Sequence, residues 1–333
     1  MCRPTGVRSL TRMSRAEILP FDESHLADAG RLLAERHRRH RVAEPLLSPR
    51  FEEVTAATAE VTSAWRADDA SGAVASHEGR VVGFLLGSPK PSDVWGPNVW
   101  VEAAGQASDE PELMRDLYAA AATRWVDEGR TAHYVLTPAH DTDLVRAWFR
   151  LGFGHQHSHA LRHLPTGPVP TPPQVVVRRA ARGDVPALAR LDLELPAHQG
   201  LSPVFSAGHV STYDEALAEW EDVDDPEFAT FVAEHGGRVI GSAVGCALEK
   251  SSAHGGLTRP DRAGYLSFAA VFPDARGHGA GRALGEAVLG WCADAGHSCV
   301  ATDWRVTNLL SSRTWPALGF AETFLRLHRV VGY

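Results

Sequence analysis

The stretch Ala75-Ser76-His77-Glu78-Gly79-Arg80-Val81-Val82-Gly83 returns later in the chain as Ala233-Glu234-His235-Gly236-Gly237-Arg238-Val239-Ile240-Gly241. Each copy reads as strand, tight turn and strand. Near the end of each half, Trp148-x-x-Leu151-Gly152-Phe153 recurs as Trp315-x-x-Leu318-Gly319-Phe320, with its glycine placed to close a helix before a new strand. The same segments in the same order mark an internal duplication, so the chain is expected to fold as two copies of one α/β unit.

Pro165-Thr166-Gly167-Pro168-Val169-Pro170-Thr171-Pro172-Pro173 separates the copies. Its prolines exclude a helix or a central strand and favour an extended spacer. The expected organisation is a tail over 1–15, a first domain over 16–164, a linker over 165–174 and a second domain over 175–333. The tail is polar and basic and lacks the apolar core of a signal peptide, so it reads as untargeted.

The formal net charge of −8 argues against a nucleic-acid-binding surface, and no apolar run approaches a membrane span. Cys2, Cys246, Cys292 and Cys299 show no metal-type pairing, which points to inert thiols in a reducing, cytoplasmic setting. Among the 17 histidines, His37 with His40 and His155 with His157 and His159 form sequence clusters. Neither has cysteines or acids at ligand spacing, so no metal site is expected and the histidines read as surface or partly buried. The acidic run Glu219, Glu221, Asp222, Asp224, Asp225 and Glu227 reads as a solvated loop, with a rim that would attract a cationic amine as the alternative. The segment holding His198 and His209 reads as a surface loop, with a functional role for either histidine as the alternative.

The chemistry concentrates at Arg276-Gly277-His278-Gly279-Ala280-Gly281. Before it lies Tyr265 to Phe272, an apolar run of strand length that stops at Pro273. After it, Ala283, Leu284, Ala287, Val288 and Trp291 recur on one helical face. Glycines between a buried strand and a helix start make an anion site. The backbone approaches the ligand closely, and the first helical N–H groups, unpaired inside the helix, point outward. A P-loop is excluded because no lysine follows, and a dinucleotide loop because Arg282 or Leu284 stands where its third glycine belongs.

With Val271-Phe272-Pro273 ahead of Arg-x-x-Gly-x-Gly, and Asn308, Trp315 and Leu318-Gly319-Phe320 behind it, the second half resembles the GNAT family of acyl-CoA-dependent N-acetyltransferases. The resemblance implies two tandem GNAT-like α/β domains, each a mixed, twisted sheet flanked by helices on both faces and opened mid-sheet by a V for acetyl-CoA. By the same likeness Arg276, Gly277, His278, Gly279, Ala280, Gly281 and Arg282 would cradle the pyrophosphate. Ala270 or Val271 would hold the thioester carbonyl through its backbone N–H, and Asn308 would meet the pantetheine arm, cap a helix, or do both. Asp303 sits where several members carry a carboxylate. It could be the base, part of a water relay, or one side of a structural salt bridge. Trp315 stands where the family usually has a tyrosine that protonates the leaving thiolate; an indole N–H will not give up its proton near neutral pH.

The first half has lost this equipment. Aligning Trp125 with Trp291 sets Glu110-Pro111-Glu112-Leu113-Met114-Arg115 against Arg276 to Gly281. The glycines are gone, a proline removes a donor, and two carboxylates would repel a pyrophosphate. The expected activity is acetyl transfer from acetyl-CoA to a primary amine of a small molecule or peptide, in the second half only, in a chain that could pair as a homodimer. A non-catalytic acyl-CoA-binding sensor or scaffold is the alternative, with Trp315 as its support.

Overall fold

The computed structural model describes residues 16–91, 95–164, 175–206, 208, 210–252 and 254–332. The expected tail over 1–15, the linker over 165–174 and His209 lie outside the described residues.

The first half runs β1 (Glu17–Pro20), α1 (Leu26–Ala43), α2 (Val54–Trp65), β2 (Ser71–His77), β3 (Arg80–Gly87), β4 (Asn98–Val101), β5 (Gln106–Ser108), α3 (Leu113–Asp127), β6 (Ala132–Pro138), α4 (Thr142–Arg150) and β7 (Gly154–His163). The second half runs β8 (Val176–Arg179), α5 (Val185–Gly200), α6 (Tyr213–Glu219), β9 (Phe228–His235), β10 (Arg238–Ala247), β11 (Gly264–Val271), α7 (Ala280–Asp294), β12 (Cys299–Arg305), α8 (Leu309–Ala317) and β13 (Ala321–Val330). The series match, except that β4 and β5 together occupy the place of β11. Both duplicated hairpins form, as β2–β3 and β9–β10.

The strands form a four-stranded sheet, β1-β2-β3-β5, and a nine-stranded sheet, β4-β6-β13-β7-β12-β11-β10-β9-β8. An isolated bridge between Ser88 and Trp100 links them. The halves exchange their last strands. β7 pairs with β12 of the second half, β13 pairs with β6 of the first, and β7 and β13 pair with each other at the centre. All these pairs are antiparallel. The parallel contacts are β4 with β6 and β11 with β12.

Burial follows the alternation of the strands. Leu161 and Ala301 face a core with Leu32 and Leu33 of α1 and Val61 of α2, whereas Ala160 and Val300 face one with Leu284 and Val288 of α7 and Trp315 of α8. Val99, Val135 and Leu325 meet Leu117, Trp125 and Trp148 of α3 and α4. Helices therefore cover both faces, as expected.

One boundary differs from the sequence reading. Glu194 to Gly200 continues α5 through Pro196 instead of forming a loop. The proline lacks an N–H, yet the helix holds its course past it, and this carries His198 to the rim of the cleft described next.

Candidate active site

β11 determines the site. Its first residues pair with β12, Gly264 with Val300 and Tyr265 with Ala301, and after that the two strands share no pairs. On its other edge β11 stays paired with β10 as far as Val271. The sheet thus opens into a V at the level where Asp303 sits, two residues beyond the last β12 pair.

A bulge sets which amides face the opening. Gly245 pairs with Leu266 and Val244 with Phe268, leaving Ser267 as the extra residue. Beyond it, the Phe272 N–H bonds the Ile240 carbonyl at 3.0 Å. Alternation then turns the Ala270 amide toward β10 as well, and aims those of Ala269 and Val271 into the V. The sequence reading offered Ala270 or Val271 as the carbonyl-binding amide. The register turns the Ala270 amide toward β10 and leaves the amides of Val271 and of Ala269, which sequence alone did not suggest, facing the opening.

The V widens into a cavity of about 380 Å³ lined by Ala269 to Val271, Arg276, Gly277, Gly279 to Arg282, Asn308 and Trp315, with Glu194, Leu195 and His198 from α5 as a third wall. Gly277 and Gly279 have φ of +88° and +82°, backbone that side-chain-bearing residues avoid. Gly279 is the residue from which α7 starts. The first-turn N–H groups of α7 stand over the cavity with the positive end of its dipole. Arg276 reaches back to the Val271 carbonyl at 3.4 Å, and Arg282 is largely exposed. His278 is the exception among the loop residues. It turns away, its ring 5.0 Å from that of His235, and does not line the cavity.

Asn308 caps α8, its side-chain oxygen accepting from the N–H groups of Leu310 at 3.1 Å and Ser311 at 3.4 Å. The same oxygen lies 3.3 Å from His198 Nε2. Trp315 is buried against the cavity.

Asp303 does not line that cavity. It belongs to the opposite face of β12 from Trp304, and its two oxygens are engaged. Oδ1 lies 2.7 Å from His157 Nε2, Oδ2 accepts from the Tyr265 hydroxyl at 2.6 Å, and His254 Nδ1 is 3.9 Å from Oδ2. Burial pushes this carboxyl upward, but the bond from His157 and the surrounding imidazoles outweigh it and hold Asp303 well below the usual carboxylate range. Burial holds His157, His159 and His254 below the ordinary histidine value. Of the β7 histidines, read from sequence as surface or partly buried, His157 and His159 are therefore part of this cluster, whereas His155 Nε2 lies 3.1 Å from Ser158 Oγ. Their alternate spacing was visible; the strand exchange that delivers them was not. No metal-binding group of histidine, cysteine or acid side chains occurs among the described residues.

The first half shows the same geometry closed. Gly83 pairs with Ser108 as Gly241 pairs with Val271, and Leu85 with Gln106 as Ala243 with Ala269, so Gln106 stands where Ala269 does. Its carbonyl takes a hydrogen bond from the buried Arg36, which also donates to the Ala103 carbonyl at 2.7 Å. The Gln106 side chain bonds the Leu136 carbonyl at 2.9 Å and the Trp148 indole N–H at 3.0 Å. What remains is a cavity of about 230 Å³ with Arg36, Arg39, Pro111 and Asp141 in its walls. Leu136 pairs with Arg326 as Asp303 pairs with His159, so the position of the carboxylate is apolar here.

The model of the Acetyltransferase (GNAT) family matches residues 195–320, within the second half. The chain is 36% identical over 118 residues to aminoglycoside N(6')-acetyltransferase type 1 of Stenotrophomonas maltophilia, an alignment covering 32% of this chain and 76% of that protein. Among solved structures, a GCN5-related N-acetyltransferase from Sphaerobacter thermophilus superposes with a TM-score of 0.56 at 15% identity, covering 95% of this chain and 96% of the other. The GCN5-related glucosamine N-acetyltransferase region of a fungal multi-domain GH3 β-N-acetylglucosaminidase gives 0.51 at 17%, covering 95% of this chain and 38% of that one. At these identities the structural matches speak for the fold.

Proposed function

The chain belongs to the acetyltransferase (GNAT) family, and from that premise we propose that its second half transfers an acetyl group from acetyl-CoA to a primary amine of a small molecule or peptide. The observation that carries this reading is the cavity joining the glycine loop to the open edge of β11. Acetyl-CoA fits its walls. The pyrophosphate suits the N–H groups of Gly277 to Gly281, with Arg276 and Arg282 adding charge, and no Cβ intrudes at either positive-φ glycine. The pantetheine amides suit the unpaired edge of β11. The thioester carbonyl suits the Ala269 or Val271 N–H, a donor fixed before charge develops on the oxygen.

Trp315 lines the same cavity and supplies no proton, so the thiolate leaves unassisted by that residue. Asp303 lies at the vertex of the V and belongs to the centre that receives the amine's proton. The first half serves as a support for the second. The name of the Stenotrophomonas relative makes aminoglycosides the first amines to try. A cytoplasmic setting is supported by Cys246, Cys292 and Cys299, which are free and buried. No helix among the described residues is long and apolar enough to cross a membrane.

Calorimetric titration with acetyl-CoA tests the reading, alongside a variant with both Gly279→Ala and Gly281→Ala. One site per chain, lost in the variant, is expected, followed by CoA release when kanamycin, tyramine or an N-terminally free peptide is added. Absence of binding would sink the proposal. Binding without release on any amine would favour a sensor.

A further inference from the structure

The Asp303 cluster is assembled from both halves. β12 brings Asp303 and Arg305, β11 brings Tyr265, the segment before β11 brings His254, β7 of the first half brings His157 and His159, and β13 brings Arg326. Both oxygens of Asp303 already accept a hydrogen bond, one from His157 and one from Tyr265, and the carboxylate is held well below its ordinary pKa, which makes it a poor base for an ammonium. His157 is differently placed. Its Nε2 faces Asp303, which fixes the proton on that nitrogen, while its Nδ1 has no hydrogen-bond partner among the described residues. That nitrogen is itself buried, although the side chain as a whole keeps 13% exposure, so the amine must reach it through an opening of the V. A carboxylate that orients an imidazole and leaves the far nitrogen without a hydrogen-bond partner is the arrangement by which hydrolytic triads make a base.

We infer that His157, supplied by the first half across the strand exchange, is the general base for the acceptor amine, and that Asp303 is its orienting partner. The inference rests on acetyl transfer occurring in the second half. The ammonium gives one proton to His157 Nδ1, forming an imidazolium held by the Asp303 carboxylate. The freed nitrogen lone pair attacks the thioester carbonyl, a C–N bond forms and the C–S bond breaks. The thiolate takes the second N–H proton, leaving as CoA, and His157 returns its proton to water. His157 must be neutral for this, and its environment holds it so. Burial lowers its pKa, Arg305 and Arg326 oppose a further positive charge, and Asp303 offsets them only in part. His159 and His254 complete the surroundings as neighbouring imidazoles, and Tyr265 fixes the carboxylate from β11. This assignment also gives the first half a reason to persist after its own cleft has closed.

The experiment uses the full chain, acetyl-CoA, and whichever of kanamycin, tyramine and the peptide turns over fastest. His157→Gln should lower kcat by ~100-fold or more with acetyl-CoA affinity unchanged within about twofold, and Asp303→Asn should add little to that loss in the double variant. His157→Ala should regain activity with added imidazole. If His157→Gln keeps kcat within about threefold and only shifts the acid limb of the pH profile, Asp303 is the base and the proposal falls. Should the variants not fold, ring-nitrogen NMR of the wild type decides. A His157 ring with a bare Nδ1 supports the proposal, and one carrying its proton on Nδ1 overturns it. A wild type that binds no acetyl-CoA would overturn the proposed function and this inference together, whereas binding with an inert His157→Gln substitution overturns this inference alone.

Discussion

Arg36 donates to the backbone carbonyl of Gln106, the residue that stands in the first half where Ala269 stands in the second. The edge that is open to a ligand in one copy is thus sealed by a side chain in the other. Burial pushes the Arg36 guanidinium down to about 9, so its seat costs desolvation and is repaid by the carbonyls of Gln106 and Ala103. Arg36→Met should destabilise the protein by about 3 kcal/mol, because two buried carbonyls lose a charged donor. Acetyl-CoA stoichiometry should stay at one per chain, since Glu110, Pro111 and Glu112 remain. Chemical denaturation and calorimetry read the two effects separately, and a second acetyl-CoA site in the variant would show that Arg36 alone closes the cleft and that Glu110, Pro111 and Glu112 do not exclude the cofactor.

Gly279 and Gly281 should respond oppositely in stability and alike in binding. Gly279 sits at φ +82°, so Gly279→Ala forces a left-handed alanine and costs about 1 kcal/mol. Gly281 lies in the first turn of α7, where a Cβ meets nothing nearer than Val271 Cγ2 at 3.9 Å, so Gly281→Ala should be neutral or stabilising by up to about 1 kcal/mol. Both place a methyl group in the loop and should weaken acetyl-CoA. Thermal melts with and without ligand check this; a Gly281→Ala variant of unchanged affinity would place the pyrophosphate elsewhere.

The duplication, the glycine loop and Asn308 were legible because each depends on local chemistry: turn residues, backbone conformation and a helix cap act within a few positions. Ala269, and the helical course that brings His198 to the cavity wall, were not legible. Ala269 depends on a bulge at Ser267 that reverses which amides face outward, and no residue type announces it. His198 depends on α5 continuing through Pro196. His157 was harder still, since its partner lies 146 positions away on a strand of the other half. Spacing along one chain does not encode which of two similar sheets a terminal strand will join.

Acid should weaken the fold through its buried histidines. Burial lowers His37 to about 4, and His40, whose nitrogens have no partner among the described side-chain bonds, lies lower still. Below the unfolded value of 6.5 the unfolded chain binds protons that the folded chain refuses. Stability is therefore full above that value and falls as pH drops toward 4, by up to about 1.4 kcal/mol per pH unit for each such histidine. His40 stacks on His140 at 4.5 Å and meets Phe324 edge-on, so His40→Phe keeps an aromatic ring there. The variant should show a shallower loss between pH 6 and 5 in denaturant titrations. An unchanged slope would mean that His40 charges freely in the fold.

The strand exchange makes the second half dependent on the first. β12 pairs with β7 along its whole length, Cys299 with His163 through Arg305 with His157, and β13 lies between β6 and β7 with a partner on each edge. A fragment of residues 175–333 loses β7 and β6 together. One edge of β12 and both edges of β13 then expose unpaired N–H and carbonyl groups, the condition under which strands recruit other chains. Buried side chains are stranded as well, because Leu161 and Leu136 leave the core that holds Ala301 and Phe324. The fragment alone should therefore aggregate or dimerise. Co-expression with residues 16–164 should restore a one-to-one complex that binds acetyl-CoA, readable by size-exclusion chromatography with light scattering. A folded monomeric 175–333 fragment that binds acetyl-CoA as tightly as the full chain would show that β13 closes on β12 unaided, and that the exchange is dispensable for the cofactor site.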